Sequence, residues 1–202
     1  AIYYGYGLLT RYFRGPSTAY RVATDDPRLR AASVHHRDGS WSIAVVNRNT
    51  RATTFELAVP EQRDSVPMRT YAYDPDAVRH HPHGDLPGPS GSVTLRAGKL
   101  RDTVAPMSLV VYTSGFDDTA PPAVEDVQHT SSDEGVRVSW QPVSVPDLCY
   151  YRVYRLHGDA RTQIGSTIAT ALLDRTPVAG ARYAVTAVDM SGNEGRQTAH
   201  GN

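Results

Sequence analysis

Cysteine, lysine and long apolar runs are almost absent from this sequence of 202 residues. The single cysteine, Cys149, excludes a disulfide within the chain and leaves the redox compartment open. Because Cys149 precedes two tyrosines in a segment typical of a strand, we interpret it as a small buried thiol and not as a nucleophile. No apolar run approaches the ~20 residues that a membrane-spanning helix needs, so we predict no membrane partner.

An excess of charge of either sign is also missing. The chain has 21 basic and 21 acidic residues and a net charge of zero. This balance gives no field that would attract nucleic acid or an anionic membrane surface. Glycine-rich phosphate and dinucleotide motifs are absent too, so we predict neither a cofactor nor a nucleic-acid partner. Residues 1–4 have neither the basic leader nor the apolar core of a signal peptide.

Turn residues and β-forming residues are abundant instead. The chain contains 16 glycines, 14 prolines and 12 tyrosines, and valine and threonine are frequent. Many short strands separated by turns are typical of β-sandwiches and barrels. The sequence therefore predicts an all-β fold.

Residues 2–13 form the only segment with a helical period. Its apolar stripe consists of Ile2, Tyr6, Leu9 and Phe13, widened by Leu8 and Tyr12. Gly5 and Gly7 each lower the helix propensity by about 1 kcal/mol, so this helix needs a large body to pack on. We therefore expect a short N-terminal helix left from a missing domain, with the contacting side chains on the surface of the present chain. The expected contact consists of Leu8, Leu9, Tyr12 and Phe13.

A polar, proline-stiffened segment at 117–122 separates two series of strands. Consecutive prolines hold an extended path with no period for a helix or strand. We interpret this segment as a linker between two β-sandwich domains in tandem, at 1–116 and 123–202. The first domain has seven or so antiparallel strands, including Asp-Gly turn chemistry at Asp38 and Gly39.

The second domain resembles a fibronectin type III domain. The resemblance rests on Trp140 in the second strand, the run 151–155 in the third, and Tyr183 with the turn 191–194. It implies a seven-strand sandwich in which Tyr183 anchors its hydroxyl at a corner. Domains of this type are commonly attached to secreted bacterial enzymes that degrade polysaccharides.

The first domain resembles the C-terminal region of a (β/α)8-barrel glycoside hydrolase. The similar stretches are 8–17, with its Arg-x-x-Arg-Gly-Pro turn, the Val-Val-Asn strand at 41–48, and the closing strand at 105–112. The resemblance implies that residues 1–116 are the last barrel helix and an accessory sandwich. The chain would then be the non-catalytic C-terminal region of a secreted, extracellular glycoside hydrolase. Its partner would be the missing barrel, and polysaccharide is a second candidate partner.

Catalytic carboxylates are not predicted anywhere in the chain. Glycoside hydrolysis needs two carboxyl groups on either side of a sugar, and barrel enzymes carry them at the ends of barrel strands. The isolated glutamates are Glu56, Glu61, Glu125, Glu134 and Glu194, none of them paired across a cleft. We therefore expect the chain not to be an enzyme by itself.

Three weaker site hypotheses stay open. His80, His81 and His83 could ligate a metal, although Pro82 and the neighbouring glycines favour a surface loop. Oxygens for calcium could come from Asp117, Asp118, Asp189, Asn193 and Glu194, which otherwise form good turns. A platform that stacks on sugar rings could consist of Trp41, Tyr71 and Tyr73, together with Tyr112, although strand aromatics are usually core. Two rival functions follow, an independent carbohydrate-binding protein and an adhesion-type interaction module.

Overall fold

A computed structural model describes residues 2–59, 64–73 and 83–200. These residues fold into two compact units. The first contains 2–59, 64–73 and 86–116, and the second contains 83–85 and 117–200. The division differs from the domains predicted from sequence at residues 83–85, which precede 86–116 in the chain and yet belong to the second unit.

In its described residues the first unit holds one helix and eight strands. They are α1 (Ile2–Tyr12), β1 (Ser17–Arg21), β2 (Leu29–His36), β3 (Trp41–Asn47), β4 (Thr53–Ala58), β5 (Val66–Tyr73), β6 (Gly91–Leu95), β7 (Lys99–Val104) and β8 (Ser108–Thr113). Six strands form an antiparallel sheet in the order β1-β2-β3-β8-β5-β6, and β4 pairs with β7 in a separate two-stranded sheet.

The core of this unit lies between the two sheets. Ile43 and Val45 of β3 and Tyr112 of β8 point to this inner face, where Leu57 of β4 and Leu100 of β7 cover them. All six residues of β8 are buried, as the apolar run predicted. Because side chains alternate along a strand, burial on every position means that the opposite face of the sheet is covered as well.

Helix α1 covers that opposite face. Leu8 is fully buried and Tyr12 is 5% exposed, and both pack on Ala44, Tyr71 and Val111 of the six-stranded sheet. Leu9 and Phe13 are half-buried against the same cluster. The prediction that these four side chains lie on the surface is therefore wrong for Leu8 and Tyr12, because the chain's own sheet supplies the large body that the helix needs. Helix α1 ends one residue before the predicted end, at Tyr12.

The second unit holds seven strands in its described residues. They are β9 (Gln128–Ser132), β10 (Gly135–Ser139), β11 (Leu148–His157), β12 (Ala160–Thr167), β13 (Ala171–Asp174), β14 (Arg182–Asp189) and β15 (Thr198–His200). One sheet has the order β13-β10-β9 and the other β12-β11-β14-β15. Trp140 lies between the sheets, with its ring edge-on to Tyr151 at 5.3 Å between centroids.

A hydrogen bond fixes the start of β14 to the end of β13. The Tyr183 hydroxyl donates to Oδ2 of Asp174 at 2.9 Å, and Arg155 of β11 donates to the same carboxylate at 3.0 Å. The Tyr183 hydroxyl is therefore anchored as predicted, but on the side chain of Asp174 and not on the backbone, which a corner tyrosine uses. Burial first, and then this hydrogen bond, raise the pKa of Tyr183 to about 12.

The segment predicted as a linker packs on the second unit. Pro121 is buried, and its carbonyl oxygen lies where a Cβ on Gly195 would approach to 2.7 Å. The backbone N–H of Asp117 donates to the Ser191 hydroxyl at 3.1 Å. Residues 117–122 therefore belong to the second unit, in which Pro121 is buried.

The architecture confirms the all-β class, with several antiparallel sheets and one short helix. The helix α1, of 11 residues, is too short to cross a bilayer, and the described residues contain no longer apolar helix.

Replacing the buried Leu8 tests the role of α1. Leu8→Ala removes side-chain atoms from a fully buried site, so we expect it to lower the free energy of unfolding of the first unit by about 2–5 kcal/mol. The chain has two tryptophans, so in a Trp140→Phe background the fluorescence of Trp41 reports urea unfolding of the first unit alone. Tyr6→Ala, at a side chain that is 68% exposed, is the control and should change stability by less than about 0.5 kcal/mol. Equal effects of the two substitutions would contradict the assignment of the buried face.

Candidate functional site

The residues predicted as a sugar platform are not available for stacking. Trp41 is 5% exposed and its ring stacks on His35 at 4.4 Å between centroids. Tyr71 is fully buried beneath α1, where its ring lies 4.4 Å from that of Tyr12, and Tyr73 is half-buried in the same cluster. The platform prediction is corrected, because the six-stranded sheet is covered on both faces at these positions. Tyr112 is fully buried as well.

Of the three histidines predicted as weak metal ligands, two lie outside the described residues. These are His80 and His81. His83 is half-buried in a turn directly before Gly84 and Asp85. The described residues therefore leave the histidine metal site untested.

An arginine-centred cluster, which sequence reasoning missed, occupies one face of the four-stranded sheet in the second unit. We define this arginine cluster by Asp85, Arg152, Tyr154 and Glu194. Arg152 and Tyr154 are two positions apart on β11 and therefore lie on the same face of this strand. Glu194 follows β14, and Asp85 comes from the segment 83–85. The guanidinium of Arg152 donates through Nε to Asp85 at 2.8 Å and through a terminal nitrogen to Glu194 at 2.5 Å.

The Asp85 carboxylate is the most buried group of the cluster, with 1% of its side chain exposed. Besides Arg152, it accepts hydrogen bonds from the Gln163 amide at 3.2 Å and from the Ser166 hydroxyl, both on β12. Burial raises the pKa of Asp85, but the hydrogen bonds from Ser166, Arg152 and Gln163 outweigh it, so the pKa lies below its ordinary value. Asp85 is therefore held ionised.

The carboxylate of Glu194, like that of Asp85, accepts several hydrogen bonds. Its carboxylate accepts hydrogen bonds from the Thr186 hydroxyl at 2.6 Å and the Tyr154 hydroxyl at 2.7 Å, and it pairs with Arg161 at 3.3 Å. Burial raises the pKa of Glu194, yet the hydrogen bonds from Thr186 and Tyr154 and the charge of Arg152 bring it below its ordinary value. The pKa of Tyr154 is raised, first by burial and then by its hydrogen bond to Glu194.

Two carboxylates on one guanidinium invite comparison with the acid pair of a glycoside hydrolase. A general acid in that chemistry needs a raised pKa, so that it carries a proton at neutral pH. Asp85 and Glu194 have lowered pKa values and use their oxygens to accept several hydrogen bonds. The cluster therefore has the chemistry of an ion-pair network that joins β11, β12 and β14 to the segment 83–85.

A second acidic group lies near the start of the second unit. Carboxylate oxygens of Asp117, Asp147 and Asp189 all lie within 4.8 Å of one another. The side-chain amide of Asn193 donates to Asp117 at 3.2 Å and to Asp189 at 2.8 Å. Three of the calcium candidates from the sequence, Asp117, Asp189 and Asn193, thus come together, whereas Glu194 belongs to the arginine cluster.

A serine and a histidine in the first unit lie within hydrogen-bonding distance. His36 Nε2 is 3.0 Å from the Ser42 hydroxyl, which is 3.1 Å from that of Thr113. Such a pair could activate a nucleophile. Ser42 is only 1% exposed, however, so no substrate carbonyl could reach its oxygen.

An open groove of about 510 Å3 lies beside β4 in the described part of the first unit. Its walls come from β1 and β2 on one side and from β4 on the other. The volume falls within the ~300–1,000 Å3 of ordinary binding clefts.

Comparison with known proteins gives distant likenesses only. The sequence matches no family model and no curated protein. Among solved structures, a GH30 endoxylanase from Clostridium papyrosolvens is similar over 55% of this chain, with 13% identity and a TM-score of 0.44. A bacterial orthologue of human α-L-iduronidase is similar over 87%, with 18% identity and a TM-score of 0.37.

A segment of two fibronectin type III domains from chicken tenascin is similar over 90% of this chain and 97% of its own length, with 17% identity and a TM-score of 0.33. The present chain spans 26% of the endoxylanase and 38% of the iduronidase orthologue. Its structural neighbours thus include regions of glycoside hydrolases and a fibronectin type III segment, at low identity and over part of each hydrolase.

The arginine cluster predicts a pH dependence of stability. Because the folded-state pKa of Asp85 and of Glu194 lies below the unfolded values of ~3.9 and ~4.3, their contribution is complete above about pH 5. It is lost as the pH falls through the folded-state values. Urea unfolding of the second unit, followed by Trp140 fluorescence in a Trp41→Phe background, should therefore give a falling free energy of unfolding between about pH 5 and pH 2.

Asp85→Asn isolates the contribution of the segment 83–85 to the free energy of unfolding. It removes the charge that pairs with Arg152, so we expect a loss of about 1–3 kcal/mol at pH 7 and a weaker decline at acid pH. Asp159→Asn, at an exposed position, is the matched control and should leave both the stability and its pH dependence unchanged. A decline of the same size in the Asp85→Asn variant would show that Asp85 does not contribute to it.

Proposed function

We propose that this chain is the non-catalytic accessory region of a secreted, extracellular glycoside hydrolase. In this proposal the first unit braces a catalytic (β/α)8 barrel of the same polypeptide, and the second unit acts as a spacer or docking module. The sequence resemblances at 8–17, 41–48 and 105–112 suggest the enzyme class, and the outer face of α1 supports a contact with a further body.

The single observation that carries the proposal is the pair of exposed tyrosines on α1. Tyr3 and Tyr6 are 64% and 68% exposed, and with the exposed Thr10 they follow the helical spacing of three and four residues on one face. Leu8 and Tyr12, on the opposite side, anchor the helix to the sheet. The helix backbone that carries the tyrosines is therefore anchored, which lowers the entropic cost of a docking contact.

The location of the proposed barrel contact differs from the one predicted from sequence. The inner stripe, with Leu8 and Tyr12 buried on the chain's own sheet, cannot also bury itself against a barrel. Tyrosine is enriched among the residues that dominate protein interfaces, so Tyr3 and Tyr6 are the better candidates. Leu9 and Phe13, which are half-buried, can contribute at the border of this face.

The non-catalytic part of the proposal rests on the state of the carboxylates. Asp85 and Glu194 have lowered pKa values, and Glu56 is exposed and paired with Lys99 at 2.8 Å. A raised pKa in a cleft is what acid catalysis of glycoside cleavage requires. The proposal therefore places the reaction in the barrel.

The tyrosine pair can be tested with the upstream part of the same reading frame. We expect that part to encode a barrel of about 250 residues, and we expect the barrel, produced separately, to bind this chain. Tyr3→Ser combined with Tyr6→Ser should weaken the dissociation constant, measured by calorimetry, by about tenfold or more. Ile168→Ser, at a side chain that is 85% exposed in the second unit, is the control and should bind like the unchanged chain.

Two results would refute the proposed function. One is an upstream sequence without a barrel. The other is full activity on plant or microbial polysaccharides by the present chain alone. A barrel that binds equally well after the double tyrosine substitution would refute the proposed contact but not the accessory role.

A further inference from the structure

The two sheets of the first unit differ in width. The sheet that carries β1 and β2 has six strands, and the sheet of β4 and β7 that faces it has two. The smaller sheet leaves part of the inner face over β1 and β2 uncovered, and the groove beside β4 lies there. The apolar floor of the groove is formed by the half-buried Val22 and Ala31, next to Ser33 and Val45, which are 6% and 2% exposed.

One edge of β4 faces this groove without a strand beside it in the described part of the unit. The N–H of Val59 donates to the carbonyl of Gly98 at 2.7 Å, so these residues form a hydrogen-bonded pair across the ladder. In an antiparallel pair the hydrogen-bonded positions alternate. The backbone groups of Thr54, Glu56 and Ala58 therefore point away from β7, toward the free edge.

The side chains around the groove alternate as a bound strand would need. Phe55 and Leu57 of β4 face the interior, whereas Thr54, Glu56 and Ala58 are exposed. An added strand would place every second side chain over the apolar floor and the intervening ones at the rim. Edge strands with free backbone groups accept further strands in this way.

The rim of the groove carries mostly negative charge. It includes the carboxylates of Asp25 and Asp26, that of Glu56, which already pairs with Lys99 at 2.8 Å, and one guanidinium, that of Arg21. The chain as a whole has no net charge, so this excess is local. Complementarity favours basic residues at the outward positions of the occupant.

From these features we infer that the groove binds an extended segment of another protein chain, in which apolar residues alternate with basic ones, as an additional strand on β4. The backbone groups of Thr54, Glu56 and Ala58 supply the ladder of hydrogen bonds. The floor takes the apolar side chains, and Asp25 and Asp26 select the basic ones. This inference is independent of the accessory role proposed above.

The probe is a synthetic peptide as long as β4, which has six residues, with valine alternating with lysine or arginine. We expect saturable binding to the full chain in fluorescence anisotropy. A peptide of the same composition in scrambled order should bind about tenfold more weakly, because it cannot place valines on one face. A peptide with glutamate in place of the basic residues should also lose affinity.

A pair of proline substitutions locates the bound strand. Thr54→Pro removes a backbone N–H that points to the groove, and should weaken binding of the basic peptide about tenfold or more. Thr103→Pro is the matched control, because Thr103 lies opposite Thr54 and its backbone points to the other edge of the sheet. Either substitution removes the 2.8 Å hydrogen bond between the two hydroxyls. Thr103→Pro also removes the hydrogen bond from the Thr103 N–H to the Asp102 carboxylate at 2.7 Å, but neither of these residues lines the groove. The control should bind within about twofold of the unchanged chain.

Asp25→Lys tests the rim without altering a strand, since Asp25 is exposed between β1 and β2. It should weaken the basic peptide several-fold and strengthen the acidic one. The inference is overturned if the scrambled peptide binds equally well or if Thr54→Pro has no more effect than Thr103→Pro. It is also overturned if the peptides fail to bind while a xylan or glucan oligosaccharide binds to the chain. In that outcome the oligosaccharide no longer binds to the Ala31→Trp variant, in which the tryptophan fills the groove.

Discussion

The first unit depends on the burial of its central strands on both faces. β3 and β8 are the middle pair of the six-stranded sheet, and their apolar side chains alternate between two clusters, one beneath β4 and β7 and one beneath α1. A sheet in this state is stable only when both faces are covered, because exposed apolar area costs about 25 cal/mol per Å2. This requirement explains why a helix with two glycines is stable here. Its weak propensity is compensated by the burial of Leu8 and Tyr12, and Gly7 allows a close approach of Leu86, whose Cδ2 atom would lie 2.4 Å from a Cβ at that position.

The second unit depends in a similar way on charge pairs that join distant parts of the sequence. Arg155 and Tyr183 meet on Asp174, and Arg152 holds Asp85 and Glu194. Each carboxylate accepts several hydrogen bonds, as buried charges must if their desolvation is to be offset. The arginine cluster fixes the relative positions of β11, β12, β14 and the segment 83–85 on one face of the sheet. It also holds the pKa values of Asp85 and Glu194 below their ordinary values.

Some elements could be predicted from the sequence and others could not. The segment 29–36 is recognisable from the turn residues on either side of it, at 25–27 and 37–40, and the buried run 108–113 from its apolar residues. β7 was missed because Asp102, which accepts the Tyr112 hydroxyl at 2.9 Å, interrupts the inward positions of Leu100 and Val104. β9 was missed because all five of its residues are exposed and polar. Asp85 lies among prolines and glycines that predict a loop. Its pairing with Arg152 could not be predicted, because only the fold brings the two residues together.

The sequence by itself determined the all-β class, most strands of both units and the net charge of zero. These properties follow from composition and from side-chain alternation, which act over a few neighbouring residues. The tertiary structure alone decided which face of α1 is buried, that Trp41 and Tyr71 are core, which acids share an arginine, and where a groove remains beside β4. Each of these depends on strands that are distant in sequence, and a local pattern carries no information about which distant strand will cover it.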